Sequence, residues 1–159
     1  MGSPFNLLEN AMWISAGVPI DTTGAAFNGD YVNMQYAEEL WVMLQQGAWA
    51  GGTPAVTMGQ GTTAAGGSTA ALTLFEAWNG VALTDDQYAP VTVTAGTFNL
   101  TAVANTVTII RARTADMTEG NKFLRCQVAS PGANADLIAM SYVLTGLKYQ
   151  GNVPPTVIA

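Results

Sequence analysis

The chain has 159 residues, 49% of them hydrophobic and only 10% charged, with eleven acidic against five basic side chains and a net charge of −6. That length fits one domain with a sizeable core, and the acidic balance speaks against a phosphate backbone as partner, which needs clustered Lys and Arg. With no histidine, the common Ser-His-Asp and Cys-His arrangements and imidazole metal ligands are excluded.

Taken in chain order, residues 1–29 carry scattered apolar groups, Phe5, Leu7, Leu8, Trp13, Ile14, Val18, Ile20 and Phe27, broken by Gly17, Pro19, Gly24 and Gly29. Without a sustained period they read as an extended N-terminal arm, able to reach on the order of 100 Å at ~3.3–3.6 Å per residue. The alternative is that the arm folds back over its own domain. Met1 to Ile20 has no basic n-region and Glu9 interrupts it, so Sec export is not expected. Met1-Gly2 opens like a myristoylation site, but Asn6 stands where that motif requires Ser or Thr. No apolar run approaches the roughly 20 residues that span a bilayer, so no membrane is expected as partner.

From Asp30 the dominant signal is period-two alternation in runs rich in Val, Thr, Ile and aromatics, cut by Gly, Pro and Asn. Strands are predicted at Tyr31–Met34, Glu39–Gln46, Ala55–Gly59, Ala70–Trp78, Val91–Thr94, Phe98–Thr101, Thr106–Arg113, Phe123–Ala129 and Leu137–Thr145. Short strands at this spacing predict an all-β, antiparallel, jelly-roll-like sandwich over residues 30–146. The run from Leu137 places Ile138, Met140, Tyr142 and Leu144 on one face and, with largely apolar neighbours on the other, should sit centrally. In the run from Thr106, Val107, Ile109 and Arg111 share one side while Thr106, Thr108, Ile110 and Ala112 share the other, too mixed to orient. Gly47 to Pro54 and Ser130 to Asn134 read as turns. Residues 147–159 form a C-terminal tail in which Pro154-Pro155 forbids a regular helix or central strand.

Motifs that carry chemistry are weak. Gly59-Gln60-Gly61-Thr62-Thr63-Ala64 fits the permissive dinucleotide pattern, with Asp85 downstream, but Gly66-Gly67 follows where a helix is required. Asp21-Thr22-Thr23-Gly24 has one Thr too many for an aspartic-protease motif and reads as a turn. Glu38-Glu39 and Asp85-Asp86 read as solvated pairs, not glycosidase carboxylates. Asp116 and Glu119 lack EF-hand spacing for calcium, and the sequon Asn99-Leu100-Thr101 reads as strand. Cys126 alternates with Leu124 and Val128 and reads as a buried structural thiol. Arg111, Arg113, Lys122, Arg125 and Lys148 read as solvated sheet residues, with no nucleic-acid site. No catalytic residue, metal ligand or cofactor is expected.

A surface built from Thr, Gln, Asn, Ser, Gly and Ala orders against a partner at low side-chain entropy cost. Trp49, in a Gly-rich turn, is the candidate for an exposed anchor on protein or on sugar. Trp41 and Trp78 read as core or sheet surface.

Two blocks carry a resemblance. Leu40-Trp41-Val42-Met43-Leu44-Gln45-Gln46-Gly47 is followed, after a turn, by Pro54-Ala55-Val56-Thr57-Met58-Gly59-Gln60, and Arg125-Cys126-Gln127-Val128 runs through Ala133-Asn134-Ala135 to Tyr142-Val143-Leu144-Thr145-Gly146-Leu147-Lys148-Tyr149. In this strand-turn-strand style the chain resembles small tailed-bacteriophage virion proteins, including capsid decoration or cement proteins. The resemblance implies a sandwich made in the host cytoplasm that clamps the major capsid protein on the capsid exterior, often as a trimer. It transfers no site residues. The residues expected at the interface on physical grounds are Phe5, Leu7, Leu8, Trp13 and Trp49, with Val153, Pro154, Pro155, Val157 and Ile158 of the tail. The alternatives are a lectin-like carbohydrate-binding module and a tail- or fibre-associated structural protein.

Overall fold

Alternation dictates the architecture: strands with one apolar parity must bury it against another sheet. The computed structural model of the protein describes residues 11–82 and 85–148. Twelve strands are formed there: β1 Ala11–Asp21, β2 Phe27–Asn28, β3 Val32–Asn33, β4 Glu39–Trp49, β5 Ala55–Gly61, β6 Ala70–Leu72, β7 Glu76–Ala82, β8 Asp85–Val91, β9 Thr97–Asn99, β10 Thr106–Arg113, β11 Phe123–Val128 and β12 Asp136–Thr145. A single 3-10 turn, Thr114–Asp116, is the described helical element.

The strands build two antiparallel sheets packed face to face. The larger has six strands in the order β1-β12-β4-β10-β7-β8; the smaller runs β2-β11-β5-β6, with β3 also on β11 and β9 also on β5. This is the expected all-β sandwich. The core between the sheets holds Leu40, Val42, Leu44, Ile110, Ala112, Ile138, Met140, Tyr142 and Leu144 from the larger sheet, and Val56, Met58, Leu124, Cys126 and Val128 from the smaller. Strand β12 is internal, as its two-sided apolar pattern predicts, between β1 and β4.

Polar residues on the inner parity are held by hydrogen bonds, although Asp136, whose Oδ1 accepts from Ala50 N and Gly51 N, keeps Oδ2 buried without a partner. Gln60 is buried and gives Nε2 to the Ala71 carbonyl (3.0 Å) and Thr118 Oγ1 (2.9 Å), while its Oε1 accepts from Thr118 N (2.8 Å). Thr106 donates to Gln46 Oε1 (3.1 Å) and Thr108 to Asn79 Oδ1 (2.8 Å). These bonds explain the mixed inner face of β10, since a buried hydroxyl is tolerated once it has a partner.

One link crosses the sandwich. β11 pairs with β3 at Phe123 and Leu124 and with β2 at Gln127 and Val128. Between them the edge chain leaves the ladder, so the Cys126 N–H donates to the Tyr142 hydroxyl of β12 (2.8 Å) and its carbonyl accepts from Gly29 N (2.9 Å).

Several expectations are corrected. Residues 11–29 are not an arm: β1 pairs with β12 from Ala11↔Thr145 to Asp21↔Leu137, and Phe27 is buried in the core. Register shifts on either side of Gly17 reset the alternation, and Pro19 is accommodated because β1 is an edge strand. The predicted strand Ala70–Trp78 is two strands, β6 in the smaller sheet and β7 in the larger, because the chain changes sheets at residues 73–75. The strand expected at Val91–Thr94 ends at Val91, as part of β8. Trp49 ends β4 instead of lying in the turn. Residues 1–10 and most of the expected tail, 149–159, lie outside the described residues.

Candidate protein-interaction face

The outer parity of the larger sheet is unusually apolar for a surface. Following the registers, one row reads Trp13, Val143, Trp41, Arg111, Glu76 across β1, β12, β4, β10 and β7. The next reads Ser15, Ser141, Met43, Ile109, Trp78, Pro90 and extends to β8. Directly opposed side chains on one face lie ~4.5–5.5 Å apart and pack laterally, so these residues form a continuous surface.

At its centre Trp41 and Trp78 lean towards each other over β10, ring centroids 6.2 Å apart and planes inclined by 17°. The Arg111 guanidinium lies 5.5 Å from the Trp41 ring centroid, a cation–π contact. Trp41 Nε1 donates to Glu39 Oε2 (3.0 Å), so the indole presents its apolar ring with its polar atom already satisfied.

The ion-paired charges of the face stand at one end and balance one another, while Asp21 stands exposed at the opposite end of β1. Arg111 binds Glu39 at 2.6 Å and Glu76 at 3.2 Å, and Arg113 binds Glu76 at 3.1 Å. Partial burial works to raise the Glu39 carboxyl's proton affinity, but the hydrogen bonds from Arg111 and Trp41 and the Arg111 charge outweigh it and hold the group below its ordinary value. The Glu39 hydrogen bond, followed by its charge, raises Arg111 above its own. Glu39 is therefore a fixed structural acid, not the solvated turn residue expected beside Glu38.

The expected interface residues are only partly brought together. Trp13 is 57% exposed on β1 and opens the first row. Trp49 is half-buried, packs against the core and donates Nε1 to the Gly52 carbonyl (3.2 Å), so its ring is engaged locally. Phe5, Leu7, Leu8, Val153, Pro154, Pro155, Val157 and Ile158 lie outside the described residues. Trp41, Met43, Trp78, Ile109 and Val143 were not among the expected interface residues. The signal was present in the run Leu40–Gln46, where both parities are largely apolar.

The other motifs resolve into structure. Asp21 Oδ1 accepts from Thr23 N (3.0 Å) and Thr23 Oγ1 (2.6 Å), a turn whose hydrogen bonds hold the carboxyl below its ordinary value. Gly59 to Gly61 belongs to β5, with no helix after it. Cys126 is buried, and burial pushes its thiol far above the ordinary range. Among the described residues no group of three or more His, Cys, Asp or Glu stands together, and no helix is long and apolar enough to cross a membrane.

No protein-family profile matches the chain, and no curated protein matches it. Among solved structures it is similar to the SPBc2 prophage-derived protein YomS, with a TM-score of 0.48 and 14% identity over 86% of this chain and 94% of that one. A likeness this distant carries no residue role or activity across.

Proposed function

We propose that the protein is a non-enzymatic virion structural protein of the capsid decoration or cement kind, which docks on the major capsid protein at the capsid exterior through the outer face of its six-stranded sheet. The observation that supports this reading is that face: an aromatic and aliphatic plane whose charges are paired with one another. Six strands at ~4.8 Å, each about 25–35 Å long, give on the order of 800 Å², the area each partner contributes to a standard stable interface. Centrally placed tryptophans beside an arginine are the composition expected of an interface that carries its energy in a few residues. Repetition of modest contacts around a shell gives avidity without a catalytic centre. Assembly as a homo-oligomer, with a trimer favoured, belongs to the same proposal.

The test is the copy number in particles purified from the source, by quantitative mass spectrometry against the major capsid protein. A ratio near one or a simple fraction supports a shell-decorating role. A handful of copies moves the protein to the tail, and absence from particles overturns the virion reading. Trp78→Ala, and separately Trp13→Ala, should then weaken particle binding by about thirtyfold if each anchors the interface at ~2 kcal/mol. Asn99→Ala, exposed on β9 in the other sheet, should leave it unchanged.

A further inference from the structure

The outer face of the smaller sheet differs: it is lined by glycine, threonine and amide side chains, and contains a hollow of about 280 Å³ bordered by Tyr31, Thr57, Gly59, Thr69, Arg125 and Gln127. We propose that this hollow is a binding site for a carboxylate, held by the Arg125 guanidinium.

Arg125 and Gly59 are directly opposed on β11 and β5. The Arg125 stem lies along the β5 backbone at Gly59: a Cβ there would stand in ordinary contact with its Cγ and Nε, 3.5 Å from each, and 3.2 Å from Gln127 Oε1. Its guanidinium carbon stands 4.7 Å from the Tyr31 ring centroid. Tyr31 is held from its other side by Gly66, at φ +84°, where a Cβ would come within 2.6 Å of the ring. Gly66 thus admits the Tyr31 ring, and the ring in turn carries the Arg125 guanidinium over its face.

What this pair lacks is an acceptor. Arg111 and Arg113 are each held by carboxylates, but Arg125 has no ion pair among the described residues, and no acidic residue borders the hollow. Arg125 Nε and the Tyr31 hydroxyl are both buried without a hydrogen-bond partner. Buried donors in native structures are nearly always satisfied; a carboxylate in the hollow meets the outer N–H groups of the guanidinium, and a small shift of the Arg125–Tyr31 pair is needed for it to reach the two covered donors. A planar guanidinium matches a carboxylate oxygen pair in geometry. One cation on a chain of net charge −6 suits a monoanion better than a phosphate dianion.

The carboxylate can come from an acidic protein side chain or from an acidic sugar, and the test separates the two. The full chain is titrated with N-acetyl-glutamate amide and with glucuronate, beside their neutral counterparts N-acetyl-glutamine amide and glucose, at constant ionic strength, while NMR follows the backbone amides of Gly59 and Gln127 in parent and variants and the Arg125 Nε–H in the parent. A saturable shift with either acid and none with its neutral counterpart supports the site, and whichever acid binds identifies the source. Arg125→Lys keeps charge and stem but loses the fork, so binding should weaken about tenfold or more; Arg125→Gln should abolish it, the fold of both being checked by amide spectra. Shifts that neither acid saturates, that chloride reproduces, or that keep the parent's affinity in Arg125→Lys overturn the proposal.

Discussion

Replacing Tyr142 by Phe removes one oxygen from the middle of the sandwich and leaves the ring in place. That oxygen accepts the Cys126 N–H at 2.8 Å, and no strand stands ready to replace it, because β2 and β3 pair with β11 only on either side of Cys126. Tyr142 is fully buried, so water cannot substitute without opening the core. A buried backbone donor deprived of its acceptor costs about 1–3 kcal/mol. At about 2–4 °C per kcal/mol for a domain of this size, the midpoint of thermal unfolding should fall by roughly 4–8 °C for a 2 kcal/mol loss. The assay is thermal unfolding together with hydrogen exchange at the Cys126 amide, with Tyr88→Phe as control, since Tyr88 is 48% exposed on β8. If Tyr142→Phe melts within a degree of the parent and Cys126 stays equally protected, the cross-sheet bond does not support the fold as argued.

Acid should erode the ion pairs on the larger sheet. The Glu39 carboxyl titrates lower in the folded chain than in the unfolded one, so its stabilising contribution is present above the unfolded value, ~4.3, and is lost as pH falls through the lower folded value. Glu39→Gln should flatten this part of the stability profile as pH falls below the unfolded value, by no more than about 1 kcal/mol for a partly exposed pair; an unchanged profile refutes the assignment. Cys126 should resist thiol reagents in the native state and react on unfolding, since burial keeps it protonated and covered. Labelling at the unfolded rate under native conditions would contradict its placement.

The limits of a strand were legible where a run of strand-forming residues is bounded by turn residues, even when neither of its faces dominates. β10, β11 and β12 have a regular alternation, and their predicted limits differ from the observed ones by at most a residue. β1 was hidden because the irregularities beside Gly17 shift its phase and Pro19 counts against an internal strand, though not against an edge. The strands β6 and β7 were merged because residues 70–78 are apolar enough to be covered on either sheet. The interaction face was legible only in part. In a chain with so little charge, alternation does not separate an inward residue from an outward one: Leu40 and Val42 point to the core while Trp41 and Met43, equally apolar, point away. Only the cross-strand register sets Trp41 and Val143 beside Trp13 and Met43 beside Ile109 and Trp78.

The two outer faces share one core, and stability alone does not account for their difference. The smaller sheet faces outward with Thr57, Gly59, Arg125 and Gln127, a surface that water solvates well. The larger faces outward with Trp41, Met43, Ile109 and Trp78, which contribute nothing to the inter-sheet core and leave apolar area in contact with solvent. The docking proposed above would recover that area, and the ion pairs at its end fit that proposal. Arg111 and Arg113 already have Glu39 and Glu76 as partners, so covering this end of the sheet desolvates a neutral group of charges and needs no opposing charge from the other protein. Such a face selects its partner by shape and apolar fit, which suits a protein that meets many copies of one flat surface.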